Sequence, residues 1–334
     1  MPYSNNDGIA KRTLTFIKFA WTGIKIALKE EYDLLFATST PLTAGIPGIF
    51  AKILRRKKFI FEVRDLWPEL PRALGMKNPL LLWGMSILEW ASYHAADKAI
   101  GLSPGICEGI KKRSRKNTPV AMIPNGCDLQ IFSPNNRVPR EQLNLEGITP
   151  DALLAIFTGA HGVANGLDAV LDTAAVLLKR QRTDIKFIFI GSGNQKAGLQ
   201  ERASREGLTN CLFFAPVPKV ELNTIVASAD IGLMILKNIP AFYYGTSPNK
   251  FFDYIASGLP VLNNYPGFLA DHITSSECGI VVEPDDPEAF ADGLIQLANS
   301  SELRKKFSVN ARKLAEQKFS RERLAVEFTN FLTN

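Results

Sequence analysis

A lysine and an aspartate stand three residues apart in a short amphipathic stretch, residues 247–258, whose sequence is SPNKFFDYIASG. On a helix, Lys250 and Asp253 would share one face. A cation beside the free N–H groups of a helix start suits phosphate, and a carboxylate can accept from sugar hydroxyls. The pair therefore predicts a nucleotide-sugar site, with Lys250 on the phosphates and Asp253 accepting from sugar hydroxyls. The alternative is an ordinary helix with two solvated charges.

The residues around this pair predict where the helix begins and ends. Ser247 is a favourable N-cap residue, Pro248 fits the first helical position, and Asn249 follows it. Gly258 suits the left-handed residue after the last turn. We therefore expect residues 247–250 to present the helix N-terminus to the ligand.

A glycine-rich loop, GAHGVANG at residues 159–166, separates a predicted strand from a predicted helix. Loops of this type can point backbone N–H groups at phosphate. In this loop, the residues expected to contact the nucleotide sugar are Gly159, His161, Gly162, Asn165 and Gly166.

A third polar group follows the predicted strand 59–63. It consists of Arg64, Asp65 and Glu69 with Trp67 among them. Open α/β sheets bind ligands at the carboxyl ends of their strands, so these residues predict a second site. A strand-to-helix loop with a satisfied aspartate is the alternative.

The elements that must position these residues alternate between apolar strands and amphipathic helices. The first half shows four strands and begins on a helix, and the second half shows six strands with helical crossovers. We predict an α/β fold with two doubly wound domains. The expected divisions are residues 1–150, with a linker at about 128–150, residues 151–318, and a C-terminal helix 319–334 that packs back on the first domain.

Length and composition agree with two globular domains. The chain has 334 residues, of which 46% are hydrophobic. Its four cysteines and three histidines show no zinc pattern. We expect no metal and no cofactor. Without a signal-peptide pattern or an apolar run of about 18 residues, a cytoplasmic protein is expected.

Positive charge is concentrated in the first half, where 21 Lys and Arg face 13 Asp and Glu in residues 1–150. A predicted helix at residues 9–28 mixes cations with Phe16, Phe19 and Trp21, and an apolar helix at residues 78–90 carries Trp83 and Trp90. Nucleic acid is a possible partner of this basic first half of the chain, but no nucleic-acid-binding motif is present. Basic helices with aromatic residues fit an anionic membrane surface better. The helix at residues 78–90 either packs in the core or lies at a membrane interface.

Taken together, these stretches resemble retaining glycosyltransferases of family 4. The motifs that carry the resemblance, in chain order, are FEVRDLWPE (61–69), LSPG (102–105), IPNG (123–126), GAHGVANGLD (159–168) and SPNKFFDY (247–254). They are most similar to the fucosamine-transferase-like enzymes of bacterial surface polysaccharide assembly, such as O-antigen, capsule and lipopolysaccharide. The resemblance implies the GT-B architecture of two facing Rossmann-like domains, the first of them incomplete at its N-terminus.

The resemblance also implies a reaction. A sugar, with an N-acetylated amino or deoxyamino sugar as one option, would pass with retention and without metal from a UDP-sugar to a polyprenyl-diphosphate-linked or other saccharide acceptor. Lys250, Arg64, Asp65 and Glu69 would be the catalytic residues. The enzyme would sit peripherally on the cytoplasmic face of the inner membrane.

The chain departs from the family pattern in three respects. The family's two glutamates, eight positions apart, fall on Gly245 and Asp253. The Arg and Lys that many relatives use on the diphosphate fall on Ala160 and Asn165, and Arg64 stands where many have histidine. Backbone N–H groups of residues 161–166 and Lys250 would then hold the pyrophosphate. A sugar-nucleotide-binding protein without turnover is therefore an alternative to the enzyme.

Overall fold

The structure, a computed structural model, describes residues 9–143 and 145–333. It contains ten strands: β1 (Leu34–Thr38), β2 (Lys58–Val63), β3 (Lys98–Gly101), β4 (Val120–Met122), β5 (Leu153–Thr158), β6 (Ile185–Ile190), β7 (Cys211–Phe214), β8 (Ile231–Met234), β9 (Val261–Asn263) and β10 (Gly279–Val281). The α-helices of the described residues are α1 (Ile9–Lys29), α2 (Gly45–Arg55), α3 (Glu69–Ala73), α4 (Pro79–Ala95), α5 (Pro104–Arg113), α6 (Asp168–Lys179), α7 (Lys196–Arg205), α8 (Lys219–Ser228), α9 (Pro240–Tyr243), α10 (Asn249–Ala256), α11 (Phe268–Ser275), α12 (Pro287–Asn299), α13 (Ser301–Lys318) and α14 (Arg321–Thr333). Helices and strands alternate along most of the chain, as the apolar pattern predicts.

The chain divides into two compact units. The first comprises Met1–Pro124, Pro240–Ser247 and Ala325–Asn334, and the second comprises Asn125–Ile239 and Pro248–Leu324. Each unit contains one of the two parallel sheets. The predicted α/β fold with two Rossmann-like, parallel-sheet domains is confirmed.

The sheet of the first unit has four parallel strands in the order β1-β2-β3-β4. Its central strand β2 buries Phe59, Phe61 and Val63, which pack with Tyr93 of α4 and Ile106 of α5. The β-branched and aromatic residues of β2 fit a strand that is covered on both faces. This packing holds the carboxyl end of β2, and the loop at residues 64–68, on a rigid base.

The sheet of the second unit has six parallel strands in the order β10-β9-β8-β5-β6-β7. Every residue of β5 is buried, and its side chains join a core shared with α6, α7 and α12. The strand order reverses at β5, which has β8 on one side and β6 on the other. Open α/β sheets bind ligands at such a switch point, outside the carboxyl ends of the strands.

The stretch at residues 125–150 belongs to the second unit, so the division between the units falls earlier than the predicted boundary at residue 150. The Val138 N–H donates to Ser228 Oγ at 3.0 Å, and Arg140 pairs with Asp230. These contacts attach residues 138–140 to Ser228, the last residue of α8, and to Asp230, two residues further on. Turn-forming sequence marked an irregular segment correctly, but it could not show that the segment packs on a helix 90 residues away.

The C-terminal end of α14 belongs to the first unit. The rings of Phe328 and Phe36 lie edge to face with centroids 5.2 Å apart, and Lys98 Nζ donates to the Phe331 carbonyl at 2.8 Å. Both contacts lie within that unit. Within the described residues, no helix combines the length and the apolar character that a membrane crossing needs.

Candidate functional site

The loop after β5 turns sharply through two glycines with positive φ, Gly159 at +119° and Gly166 at +56°. A short 3-10 turn, Val163–Asn165, lies between them. The strand end is anchored to α10, because the Tyr254 hydroxyl accepts from the Thr158 N–H at 2.9 Å. The loop is therefore fixed to the helix that carries Lys250.

Some backbone N–H groups of this loop are already engaged. His161 donates to Ser192 O at 2.9 Å, Asn165 to Gly162 O at 3.0 Å, and Gly166 to Val163 O at 3.3 Å. The expectation that all amides from residue 161 to 166 face a ligand is therefore corrected. Among the described residues, the N–H groups of residues 162–164 have no partner, and these are the ones that a phosphate can use.

Lys250 reaches back from the first turn of α10 to the same loop. Its Nζ donates to Asn165 Oδ1 at 2.8 Å and lies 3.8 Å from the centroid of the Phe157 ring. A Cβ built on Gly159 would stand 4.0 Å from Nζ. No carboxylate of the described residues lies within ion-pair distance of the ammonium. Burial lowers the pKa of Lys250 to about 7, because the ammonium loses solvation without gaining a counter-ion.

His161 lies behind the loop rather than at its surface. Its side chain is fully buried among Phe157, Phe189 and Phe213, with ring centroids 5.9–6.3 Å away. Neither ring nitrogen has a hydrogen-bond partner in the described residues. Burial, helped by the positive charges of Lys196 and Lys250, lowers its pKa to about 4, so the ring is neutral at pH 7. The side chain therefore acts as a packing group, while its main chain shapes the loop.

The sequence analysis overlooked two glycines in the neighbouring loop after β6. A Cβ on Gly191 would lie 1.9 Å from Gly159 O, and a Cβ on Gly193 would lie 2.4 Å from His161 O. The loops after β5 and β6 thus pack backbone against backbone. The pattern GSG directly after a buried strand was the signal that could have revealed this.

Helix α10 begins one residue later than predicted. Asn249 is its first residue, Pro248 occupies the cap position with ψ of 130°, and no side chain caps the end. Since Pro248 is extended and lacks a side-chain oxygen, the predicted N-cap role of Ser247 is wrong, and Ser247 is instead buried. Gly258 has the expected left-handed conformation, with φ of +68°.

Asp253, one turn further along α10, has surroundings unlike those of Lys250. Burial raises its pKa to about 6, and the charges of Lys219 and Arg321 oppose that rise while Asp128 adds to it. Asp128 itself pairs with Lys219 at 3.3 Å and with Arg321 at 3.8 Å. The carboxylate of Asp253 thus lies near two cations, Lys219 and Arg321, and one other carboxylate. It has no hydrogen-bond partner within the described residues.

A cavity of about 390 Å³ adjoins the loop after β5. It is lined by Gly162, Val163 and Gly166 of that loop and by Lys237, together with carboxylates that include Asp168 and Asp285. Lys250 does not line it, and the charges around it are mainly acidic. Within the described residues, no cluster of His, Cys, Asp or Glu could hold a metal ion.

In the first unit, Arg64 and Asp65 stand directly after β2. Arg64 pairs with Glu62 at 3.2 Å, and its backbone N–H donates to Ser39 Oγ at 2.9 Å. Burial raises the pKa of Asp65, although the Arg64 charge and a hydrogen bond with Thr40 act against this. Both side chains are held at the end of the strand, as predicted from the sequence.

Glu69 belongs to a partly buried ionic network in which only the Glu89 side chain is fully buried. Arg113 at the end of α5 lies 3.4 Å from Glu69 Oε1 and 2.8 Å from Glu89 Oε2. Glu89 Oε1 also accepts from the Tyr93 hydroxyl at 2.8 Å and from the Trp67 N–H at 3.2 Å. Burial is the main reason that the pKa of Glu89 rises to about 7. Arg113 therefore has a structural role inside the unit, although it stands in a run of cations, residues 111–116, at a helix end.

Two parallel-sheet units, with a glycine-turned loop and a lysine at the carboxyl edge of the second sheet, define the GT-B class of glycosyltransferase folds. The chain belongs to the family described as Glycosyl transferases group 1, which matches residues 140–314. Residues 3–131 match the description Glycosyltransferase Family 4. The predicted family is thereby confirmed at this level.

Several relatives carry named activities. A D-inositol 3-phosphate glycosyltransferase of Corynebacterium urealyticum is 27% identical over 89% of this chain and 72% of its own length. One from Paenarthrobacter aurescens is 28% identical, but only 44% of it and 55% of this chain are covered. The capsular polysaccharide biosynthesis glycosyltransferase CapM of Staphylococcus aureus is 22% identical over 87% of this chain and 74% of its length. The chain thus spans between about half and three quarters of these relatives.

Solved structures show the same fold at low identity. Sucrose-phosphate synthase from Thermosynechococcus elongatus superposes with a TM-score of 0.76 at 18% identity, covering 98% of this chain and 79% of that protein. Anabaena HepE in complex with UDP and glucose gives a TM-score of 0.74 at 15% identity, covering 100% and 84%. WaaG, a glycosyltransferase involved in lipopolysaccharide biosynthesis, gives 0.64 at 15% identity, covering 93% and 95%.

Proposed function

We propose that the protein transfers a sugar from a UDP-sugar to a saccharide acceptor. The observation that carries this proposal is the Lys250 ammonium, which has no carboxylate partner among the described residues. Lys250 contacts the loop after β5 through Asn165, and that loop has free N–H groups at residues 162–164. Lys250 is partly buried, and a cation that loses solvation without gaining a counter-ion is costly, a cost that a bound anion offsets. Preorganised N–H groups and a positive charge are what a leaving diphosphate requires.

The nucleoside part is assigned to Asp253. The Asp253 carboxylate lies one turn along α10 from Lys250 and is half-buried. A ribose has two hydroxyl donors that suit a carboxylate acceptor. Uridine is the nucleoside proposed, since HepE was solved with UDP and with UDP-glucose.

We propose further that transfer proceeds with retention and without a metal ion. In this mechanism the N–H groups and Lys250 bear the charge that develops on the leaving phosphate. Arg64, Asp65 and Glu69 are proposed to contact the donor sugar or the acceptor, because they stand at the carboxyl end of a parallel strand. The resemblance to fucosamine-transferase-like enzymes favours an amino or deoxyamino sugar as the group transferred.

A lipid-linked acceptor in surface polysaccharide assembly fits the exterior of the first unit. Helix α2 packs against both α1 and α4, and all three helices expose large apolar side chains. Trp21 is 60% exposed, Trp83 64% and Leu80 74%. Exposed cations such as Lys18 and Lys25 lie on the same α1 helix. We propose that this helical layer lies on an anionic membrane surface, where each basic residue contributes about 1 kcal/mol.

Calorimetry and turnover together test the donor proposal. UDP should bind the protein and raise its melting temperature, and a UDP-sugar should release UDP when a saccharide acceptor is added. Binding without release under any acceptor would leave a sugar-nucleotide-binding protein, which is the alternative function. Failure of UDP to bind, with GDP or ADP binding instead, would contradict the choice of uridine.

Vesicle co-sedimentation tests the membrane proposal separately. Binding to vesicles that contain an anionic lipid should exceed binding to neutral vesicles and should weaken as salt rises toward physiological strength. The double variant Lys18→Glu with Lys25→Glu should lose most of this difference. Equal partitioning to neutral and anionic vesicles would contradict an electrostatic membrane contact.

A further inference from the structure

Among the described residues, Glu89 is the carboxylate whose side chain is fully buried. It projects from α4, a helix that is otherwise rich in exposed Leu and Trp. A buried carboxylate is costly unless it is paired and hydrogen-bonded. Its partners therefore indicate what the protein gains by keeping it.

The contacts of Glu89 lead to the loop after β2. Oε1 accepts from the Trp67 N–H at 3.2 Å and from the Tyr93 hydroxyl at 2.8 Å. Oε2 lies 2.8 Å from Arg113, which also lies 3.4 Å from Glu69. One carboxylate thus holds the loop at Trp67 directly and its far end at Glu69 through Arg113.

Arg113 has its own anchor, so the network has a fixed base. Its guanidinium donates to Ser86 Oγ at 2.6 Å and to the Ser86 carbonyl at 3.3 Å. Ser86 lies on α4, one turn before Glu89. The two carboxylates, Glu69 and Glu89, therefore share one guanidinium that is fixed to α4.

We propose that Glu89 is a positioning residue that holds residues 64–69 in the conformation used for sugar transfer, and that its protonation releases this hold. The inference rests on the role proposed above for Arg64, Asp65 and Glu69. Protonation removes the charge that attracts Arg113 and weakens the acceptor of the Trp67 N–H. Arg113 then pairs with Glu69 alone, and the loop loses its central attachment.

The charged groups around Glu89 determine the pH at which this happens. Arg113 of α5 favours the ionised form, Glu69 of α3 opposes it, and Tyr93 of α4 donates to it, while burial opposes ionisation most strongly. The pKa of Glu89 is raised to about 7. The loop should therefore be held above pH 7 and released below it.

The first test does not depend on activity. The chain has four tryptophans, so the variant Trp21→Phe, Trp83→Phe, Trp90→Phe leaves Trp67 as the single fluorophore. Its emission should change with a midpoint near pH 7, and adding Glu89→Gln should abolish that transition. Glu108→Gln, an exposed carboxylate of α5, is the matched control and should keep it. A transition that persists in Glu89→Gln, or the lack of one in the parent, would overturn the proposal.

The second test measures transfer. Glu89→Gln should lower kcat by about fivefold to a hundredfold, the effect of a displaced catalytic group, and should remove the transition near pH 7 from the pH profile of kcat. The dissociation constant of UDP should be unchanged. If Glu89→Gln does not fold, Arg113→Lys should give the same loss of kcat, since one ammonium cannot reach both carboxylates and Ser86. Unchanged kcat in a folded variant would contradict the positioning role.

The two proposals fail in different ways. If the parent protein transfers no sugar, the proposed function fails, but the Trp67 titration still decides whether Glu89 holds the loop. If the parent is active and neither Glu89→Gln nor Arg113→Lys alters kcat or its pH profile, only the positioning role fails.

Discussion

The loop after β2 in the first unit and the loop after β5 in the second hold their charges in opposite ways. In the first, Arg64 pairs with Glu62, and Arg113 joins Glu69 to Glu89. In the second, Lys250 donates to a neutral amide and lies over an aromatic ring. The first loop therefore satisfies its ions internally, which orients them. The second leaves its cation without a carboxylate partner among the described residues, as the proposed diphosphate site requires.

The largest expected effect is on that cation. Lys250→Ala should weaken UDP binding by about 1.5 to 3 kcal/mol, more than tenfold, because a charge-assisted hydrogen bond to phosphate is lost. Isothermal titration calorimetry measures it. Lys179→Ala, an exposed lysine at the end of α6, is the control and should bind as the parent does. Equal affinity in Lys250→Ala would remove the contrast between the two loops.

A neutral replacement in the first loop should act on turnover instead. Asp65→Asn should reduce kcat about tenfold, roughly 1.4 kcal/mol of transition-state stabilisation, while UDP affinity stays nearly the same. Steady-state kinetics combined with calorimetry separates the two quantities. Asp33→Asn, an exposed residue just before β1, serves as the control. Full turnover by Asp65→Asn would return this loop to a purely structural role.

A smaller effect should distinguish the phosphate contact from the ribose contact within the second unit. Asp253→Asn should weaken UDP and uridine alike, by about 0.5 to 1.5 kcal/mol, because the proposed ribose contact is common to both. Lys250→Ala should weaken UDP alone. Since the pKa of Asp253 is raised to about 6, affinity for uridine should fall as pH drops through 6. If both variants affect the two ligands equally, the division between phosphate and ribose contacts is wrong.

The smallest effect concerns stability without ligand. The pKa of Lys250 is lowered from 10.5 to about 7, so its burial destabilises the fold fully below pH 7 and progressively less as pH rises to 10.5. Lys250→Met keeps an unbranched side chain of similar length but removes its charge. It should raise the melting temperature by a few degrees at pH 7. Scanning calorimetry from pH 6 to 9 should show this gain shrinking with pH, whereas Lys179→Met should show no such trend. A constant gain would mean that the ammonium is not the cause.

The sequence predicts the strand and helix order well, because buried parallel strands such as β5 are continuous apolar runs between turns. It also singles out Lys250 and the loop at residues 159–166, which the structure brings into contact. It does not predict that Asn165 holds Lys250, since that hydrogen bond joins residues 85 positions apart. It places the start of α10 one residue early, because a serine before a proline looks like an N-cap whichever conformation the proline adopts.

Glu89 and Arg113 show a second limit. Arg113 stands in a run of cations at a helix end, where solvent exposure is the usual outcome, and Glu89 stands in an apolar helix. The ion-pair partners of both residues lie far away in the sequence, and a tyrosine one turn after Glu89 does not by itself indicate a buried carboxylate. Only the packing of α3, α4 and α5 around the loop after β2 brings them together.

The lowered pKa of Lys250 also makes nucleotide capture a proton-uptake reaction. Near pH 7 the lysine is partly neutral, and a diphosphate beside it raises the pKa again, so each binding event takes up a fraction of a proton. The observed binding enthalpy should then differ between buffers in proportion to their heats of ionisation, and the affinity should fall as pH rises above 7. If the nucleotide binds beside Lys250 as proposed, its affinity therefore depends on a proton taken up from the buffer.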